Sequence, residues 1–185
     1  MTAAPDEQPL LFNVSGLLGE APGSVRDIAF AGVTLDLGED LVLAEPVAGG
    51  ARLARTNRGL VVTGYVNAVL ADTCGRCLAP VRVPLALDFE EEFLPSIDLV
   101  TGLPLHRITE PDVPRLSDHH EMNLEKPIRE AIQLAAPIVP VCRPDCLGLC
   151  QLCGADRNLG PHVHADASGD PRLEALRAFH PDAEA

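Results

Sequence analysis

The stretch TCGRCLAPVRVPLALDFEEEF, from Thr73 to Phe93, decides how this chain is read. Behind the Cys74-Gly75-Arg76-Cys77 pair, Val81, Val83, Leu85, Leu87 and Phe89 recur at every second position, the pattern of a strand with one face buried. Pro84 has no N–H to give to a ladder, so it places the strand at a sheet edge or a bulge. A redox C-x-x-C of the thioredoxin type sits at a helix N-terminus, where the dipole lowers the thiol pKa, whereas here a strand follows. The pair is expected instead at a hairpin tip whose turn presents two thiolates to one ion.

Working outward toward the start, further hairpins are expected. LFNVSGLL (Leu11 to Leu18) opens the β-rich part, and Pro22-Gly23 marks a turn before the alternating run VRDIAFAGV. Gly49-Gly50 and the segment Thr56–Gly59 (TNRG) read as two more turns between apolar-rich strands. Toward the end, periodicity lapses from Pro95 to Glu121, which reads as a flexible acidic connection of a length suited to disorder or partner binding. A helix then starts with Asn123 as cap, carries Leu124, Ile128, Ile132 and Ala135 on one face, and ends at Pro137 and Pro140. A short final helix is signalled by Asp170-Pro171 with Leu173, Leu176 and Phe179 on one side. The expected class is α+β: antiparallel hairpins in a partly closed sheet over residues 1–94, a connection over 95–122, and a helical, cysteine-rich part over 123–180 packed with the first as one unit.

The remaining cysteines crowd together after the central helix, as Cys142-x-x-x-Cys146 and Cys150-x-x-Cys153-Gly154, followed by His162 and His164 in GPHVHAD. The C-x-x-C-G unit is the most specific piece, because a tight turn converges two sulfurs on zinc and Gly154 admits the positive φ such turns need. Six cysteines and two histidines supply ligands for two closed tetrahedral zinc sites. Spacing favours Cys150, Cys153, His162 and His164 as one set, and Cys74, Cys77, Cys142 and Cys146 as the other. A single zinc held by Cys142, Cys146, Cys150 and Cys153 is the alternative arrangement. Either way the donors are a full complement of soft ligands, which argues for a closed, structural site over a catalytic one.

Composition bounds the function. The chain is 46% hydrophobic but only 3% aromatic with no Trp, so its core is built from modest aliphatic side chains and a structural metal would matter to it. Its 27 acidic residues against 14 basic ones give a formal charge of −13, which opposes broad electrostatic binding of nucleic acid and suits a basic protein partner. Arg52, Arg55 and Arg58 form no concentrated basic face. The opening residues lack a signal-peptide pattern and no apolar run reaches the roughly 20 residues of a membrane span, so a cytoplasmic protein with reduced thiols is expected. No G-x-S-x-G, phosphate-loop or H-E-x-x-H motif occurs, and no catalytic residue is assigned.

The order C-x-x-C at a hairpin, then a helix running into LAAPIVPVCRPDCLGLCQLCGADRN, then H-x-H and DPRLEALRAF, resembles the YceD family of large ribosomal RNA subunit accumulation proteins. The resemblance runs from about Leu10 to Phe179 and is most specific between Ile128 and Leu176. PGSVRDIAF and the paired histidines look like its actinobacterial branch. It implies a non-catalytic ribosome-biogenesis factor that supports 23S rRNA accumulation. Its partner would be a large-subunit rRNA precursor or a basic ribosomal or processing protein, and neither DNA nor a membrane. The alternative function is a cysteine-based zinc or redox sensor.

Overall fold

The computed structural model describes residues 10–98, 101–105, 113–160, 163–164 and 172. Four strands, β2 (Val25–Val33), β3 (Val42–Arg55), β4 (Leu60–Thr73) and β5 (Pro80–Phe93), form an antiparallel meander in the order β2-β3-β4-β5. A second, two-stranded sheet pairs β1 (Leu11–Asn13) with β6 (Glu121–Asn123). The helices are α1 (Ser15–Leu18) and α2 (Glu125–Ala135), giving an α+β protein.

Alternation writes the sheet. Along β4, Leu60, Val62, Val66, Ala68 and Leu70 are buried while Thr63, Tyr65, Asn67 and Ala71 face out. Val83, Leu85, Leu87 and Phe89 of β5 are half-buried and pack against the core, and Pro84 lies on the edge strand, as its missing N–H requires. Leu17, Phe93, Leu116, Met122, Leu124, Ile128 and Ile132 complete the core, and among the described residues no polar or charged side chain is buried.

Three local expectations are overturned. Gly49-Gly50 is not a turn but the middle of β3, opposite Val66 and Tyr65. A Cβ on Gly49 would collide with the Tyr65 carbonyl oxygen and with the Phe30 ring, so the glycine is there for close strand approach. The segment LFNVSGLL is strand only as far as Asn13. The Asn13 side chain then accepts from the Ser15 N–H and hydroxyl, and Ser15–Leu18 coil inward to bury Leu17 and Leu18. The central helix starts close to the expected point, with the Asn123 side chain accepting from the Glu125 N–H at 2.8 Å, but Ala135 faces solvent rather than the core. Within the stretch read as aperiodic, Leu94 exchanges backbone hydrogen bonds with Pro114 and Leu116, and β6 closes on β1. The final helix expected at Asp170 lies outside the described residues.

The consequence for the site is positional. Strands of 14 residues carry the β4–β5 turn up to roughly 45 Å from the core end of the hairpin. Helix α2 runs beside β5 and hands residues 137–142 to that distant tip, where the Gly75 N–H donates to the Pro140 carbonyl at 2.8 Å.

Candidate metal centre

The hairpin tip is a closed knuckle. The Cys74 N–H donates to the Ala79 carbonyl at 2.8 Å, and the Leu78 N–H donates to the Cys74 carbonyl at 2.9 Å. Leu78 takes a φ of +61°, a left-handed conformation that costs a non-glycine residue energy and turns the chain back from Cys77 into β5. Cys74 is buried and Cys77 half-buried.

The segment leaving α2 docks onto this knuckle through polar backbone groups. The Arg76 guanidinium donates to the Pro144 and Cys146 carbonyls at 3.3 and 3.0 Å, and the Leu149 N–H donates to the Arg76 carbonyl at 3.0 Å. These bonds bring Cys142 and buried Cys146 over Cys74 and Cys77, so that all four sulfurs lie within 4.8 Å of one another. Cys74 and Cys146 sulfurs are 3.9 Å apart and those of Cys77 and Cys142 3.7 Å. Both separations are far beyond a disulfide bond. They match the sulfur-to-sulfur edge of about 3.8 Å that a tetrahedral ion with metal–sulfur bonds near 2.3 Å requires.

The electrostatics of the quartet point the same way. Backbone N–H groups of Cys77, Cys142 and Arg76 aim at the Cys74 sulfur and pull its pKa down to about 6. Desolvation, and then the sulfurs of Cys146, Cys77 and Cys74, push Cys142 up to about 12. For Cys77 the hydrogen bond from Ala79 favours the thiolate, but desolvation and the Cys74 and Cys146 sulfurs outweigh it and the net direction is upward. For Cys146 desolvation is outweighed by the Gly148 N–H, Asn158 and the sulfurs of Cys77 and Cys142, and the net direction is downward. The environment thus favours the thiolate at Cys74 and Cys146 and opposes further negative charge at Cys77 and Cys142. A divalent cation would remove that conflict, so the donor set fits a closed metal site.

A second group assembles next door. The Cys150 N–H donates to the Ala155 carbonyl and the Gly154 N–H to the Cys150 carbonyl, each at 2.8 Å, with Gly154 at a φ of +72°. This turn places Cys150, Cys153 and His164 within 4.8 Å of one another, with 3.2 Å between the Cys150 sulfur and His164 Nε2. His162 lies outside the described residues. Cys142 and Cys146 therefore face Cys74 and Cys77, while Cys150 and Cys153 face His164.

One participant was not read from the sequence. Asn158 Nδ2 lies 3.5 Å from the Cys146 sulfur, and its Oδ1 accepts from the Leu147 N–H at 2.9 Å and the Arg143 guanidinium at 2.7 Å. It buttresses the quartet from outside, and only its place in GADRN, just after a C-x-x-C-G, could have signalled it.

Other features carry less. Among the described residues no helix is long and apolar enough to cross a membrane. Arg55, from the scattered arginine group, spends its guanidinium on the Leu18, Thr56 and Gly59 carbonyls.

Comparison with known proteins places the chain. Uncharacterized proteins of Mycobacterium tuberculosis and Mycobacterium bovis are each 38% identical to it over 126 residues, which make up 68% of this chain. An uncharacterized protein of Mycobacterium leprae is 29% identical over 163 residues, 84% of this chain and 71% of the relative. The chain spans 58% of the length of the tuberculosis and bovis relatives. No solved structure matches it significantly. The model of the family described as large ribosomal RNA subunit accumulation protein YceD matches residues 62–180, which take in the hairpin, α2 and every candidate ligand, and the chain belongs to that family.

Proposed function

We propose that this protein is a non-catalytic, cytoplasmic ribosome-biogenesis factor whose cysteine-rich end is held in shape by structural zinc. It supports accumulation of the large-subunit rRNA by engaging a basic ribosomal or processing protein, or a structured rRNA precursor. The observation that carries the zinc half is the sulfur quartet, two from a hairpin tip and two from the segment after α2, with edges of 3.7 and 3.9 Å. Cys74, Cys77, Cys142 and Cys146 would hold one ion. Cys150, Cys153 and His164 would hold a second, with His162 as the expected fourth ligand. Soft thiolates with imidazole at tetrahedral spacing favour zinc over harder cations. The rRNA half rests on the family's description, and the charge of −13 favours a basic protein as the direct contact.

The test has two arms. Protein purified without a metal-affinity tag is expected to contain two zinc ions, falling to one in a Cys150→Ser/Cys153→Ser variant. Deletion of the gene is expected to lower the ratio of large-subunit to small-subunit rRNA. A sensor is the second reading, favoured by the exposed positions of Cys142 and Cys153. It predicts zinc release under mild oxidant with no change in that ratio.

A further inference from the structure

The outer edge of the main sheet carries a groove that the metal-bound scaffold does not use. Its backbone direction follows from the hairpin tip. The Cys74 N–H to Ala79 carbonyl bond makes that pair a hydrogen-bonded one, and β4 and β5 then pair without a register shift. Antiparallel pairs alternate between hydrogen-bonded and non-hydrogen-bonded. Counting back from the tip, Val69–Pro84, Asn67–Ala86, Tyr65–Asp88 and Thr63–Glu90 are therefore non-hydrogen-bonded pairs. Pro84 falls in the class that needs no N–H toward β4, as it must. The backbone N–H and C=O groups of Ala86, Asp88 and Glu90 consequently point away from β4, toward an edge on which no further strand is paired among the described residues.

This free edge is bounded and walled. Pro84 interrupts it toward the tip, and residues Pro114–Leu116, bonded to Leu94, close it at the other end. Between them, the groove-lining stretch from Ala86 to Glu90 is five residues of strand, about 17 Å. One turn-spaced face of α2, through Pro127, Glu130, Ala131 and Leu134, forms the far wall of a groove of about 540 Å³. Leu134 stands on that wall 88% exposed.

The charges say what fits. Asp88, Glu90, Glu91 and Glu130 all line the groove, and among the described residues no cation does. Lys126 is 3.8 Å from Glu130 on the helix. Burial, together with the charge of Glu130, raises the Glu91 pKa despite a hydrogen bond from the Glu92 N–H and the charge of Lys126. Nucleic acid would meet repulsion here. So would a second copy of this chain, whose β5 would bring the same carboxylates face to face.

We propose that the edge of β5 from Ala86 to Glu90 receives an extended, basic peptide segment of a protein partner as a fifth strand of the sheet. Alternate side chains of that segment meet different walls. Those on the outer face lie beside Asp88 and Glu90 and are cationic; those on the inner face lie beside Leu87 and Phe89, under Ala131 and Leu134, and are apolar. This proposal rests on the reading of the protein as a binder of a basic protein partner, and it specifies where and in what conformation. An acidic edge also discourages self-aggregation, but that role does not call for an exposed leucine on the facing helix.

The test uses the full chain with its metal and a fluorescent eight-residue peptide of alternating arginine and valine. Controls are a peptide of the same composition with the arginines and valines in two blocks, and a single-stranded RNA oligonucleotide. The expected result is saturable binding of the alternating peptide, new hydrogen-exchange protection at the amides of Ala86, Asp88 and Glu90, and at least about tenfold weaker binding by Glu90→Lys/Glu130→Lys. A variant with the same charge change elsewhere, Glu20→Lys/Asp118→Lys, should bind as wild type does. Equal binding of the blocked peptide, binding without protection of those three amides, preference for the RNA, or no binding would overturn the proposal. None of these outcomes depends on the rRNA ratio, so failure of the groove and failure of the biogenesis reading are separately visible.

Discussion

The two ends of the β4–β5 hairpin are stabilised by different physics. At the base, Leu60, Phe93, Leu124, Ile128 and Ile132 are buried against each other with no buried polar side chain among the described residues. Beyond the tip, from 137 to 160, the buried residues are Cys146 and Gly148. Apolar side chains there face water, Ile138 at 99% exposure and Leu159 at 88%. Hydrophobic burial accounts for the first end and cannot account for the second. Backbone hydrogen bonds position the second end, and their net worth of about 1 kcal/mol each does not offset the entropy of ordering so many residues. On the proposed reading, metal ligation by the two cysteine groups holds it.

The largest effect should come from breaking ligation. Cys146→Ser removes a buried ligand of the quartet, with a binding free energy on the order of 10 kcal/mol at stake. Metal content by plasma mass spectrometry should fall, and amide resonances of 137–160 should collapse toward random-coil positions while those of β2, β3 and the base of β4 persist. Next, Phe93→Ala should cost about 3–5 kcal/mol of global stability in urea unfolding, by loss of buried area and the cavity left behind. Native metal content should not change, which separates the two ends from the opposite direction.

Asn158→Ala sharpens the cysteine end. It deletes the contact to the Cys146 sulfur and two acceptor bonds from Leu147 and Arg143, and should weaken metal affinity about tenfold in competition with a chelator, without altering the sheet. The smallest effect is at Glu91 on the edge strand β5. Because its folded pKa is raised, its ionised form costs stability at pH values above that pKa, and the cost is gone below the ordinary value of 4.5. Glu91→Gln should therefore raise stability at pH 7 by about 0.5 kcal/mol or less, a gain that disappears in urea titrations run below pH 4.5.

What the sequence disclosed divides along the same line. The period-two run from Val81 to Phe89, the edge position of Pro84, the turn at Thr56–Gly59 and the buried face of α2 are local patterns, and each was legible because burial repeats at a fixed interval. Gly49-Gly50 misled because its reason lies on neighbouring strands, in the Phe30 ring and the Tyr65 carbonyl, which no local window contains. Strand β6 is three residues long and is specified by its partner β1, more than 100 positions earlier. At the candidate centre, Cys and His are rare enough that spacing alone gathers them. Asn158 is an ordinary loop residue until the fold sets it beside the Cys146 sulfur.

On the zinc reading proposed above, metal ligation rather than a hydrophobic core orders residues 137–160. The most direct measurement is hydrogen–deuterium exchange of the purified protein before and after a strong chelator, read segment by segment. The account predicts that residues 74–79 and 137–160 lose protection together on metal removal while β2, β3 and the core-facing parts of β4 and α2 keep theirs. Unchanged protection across 137–160, or uniform loss across the whole chain, would contradict it.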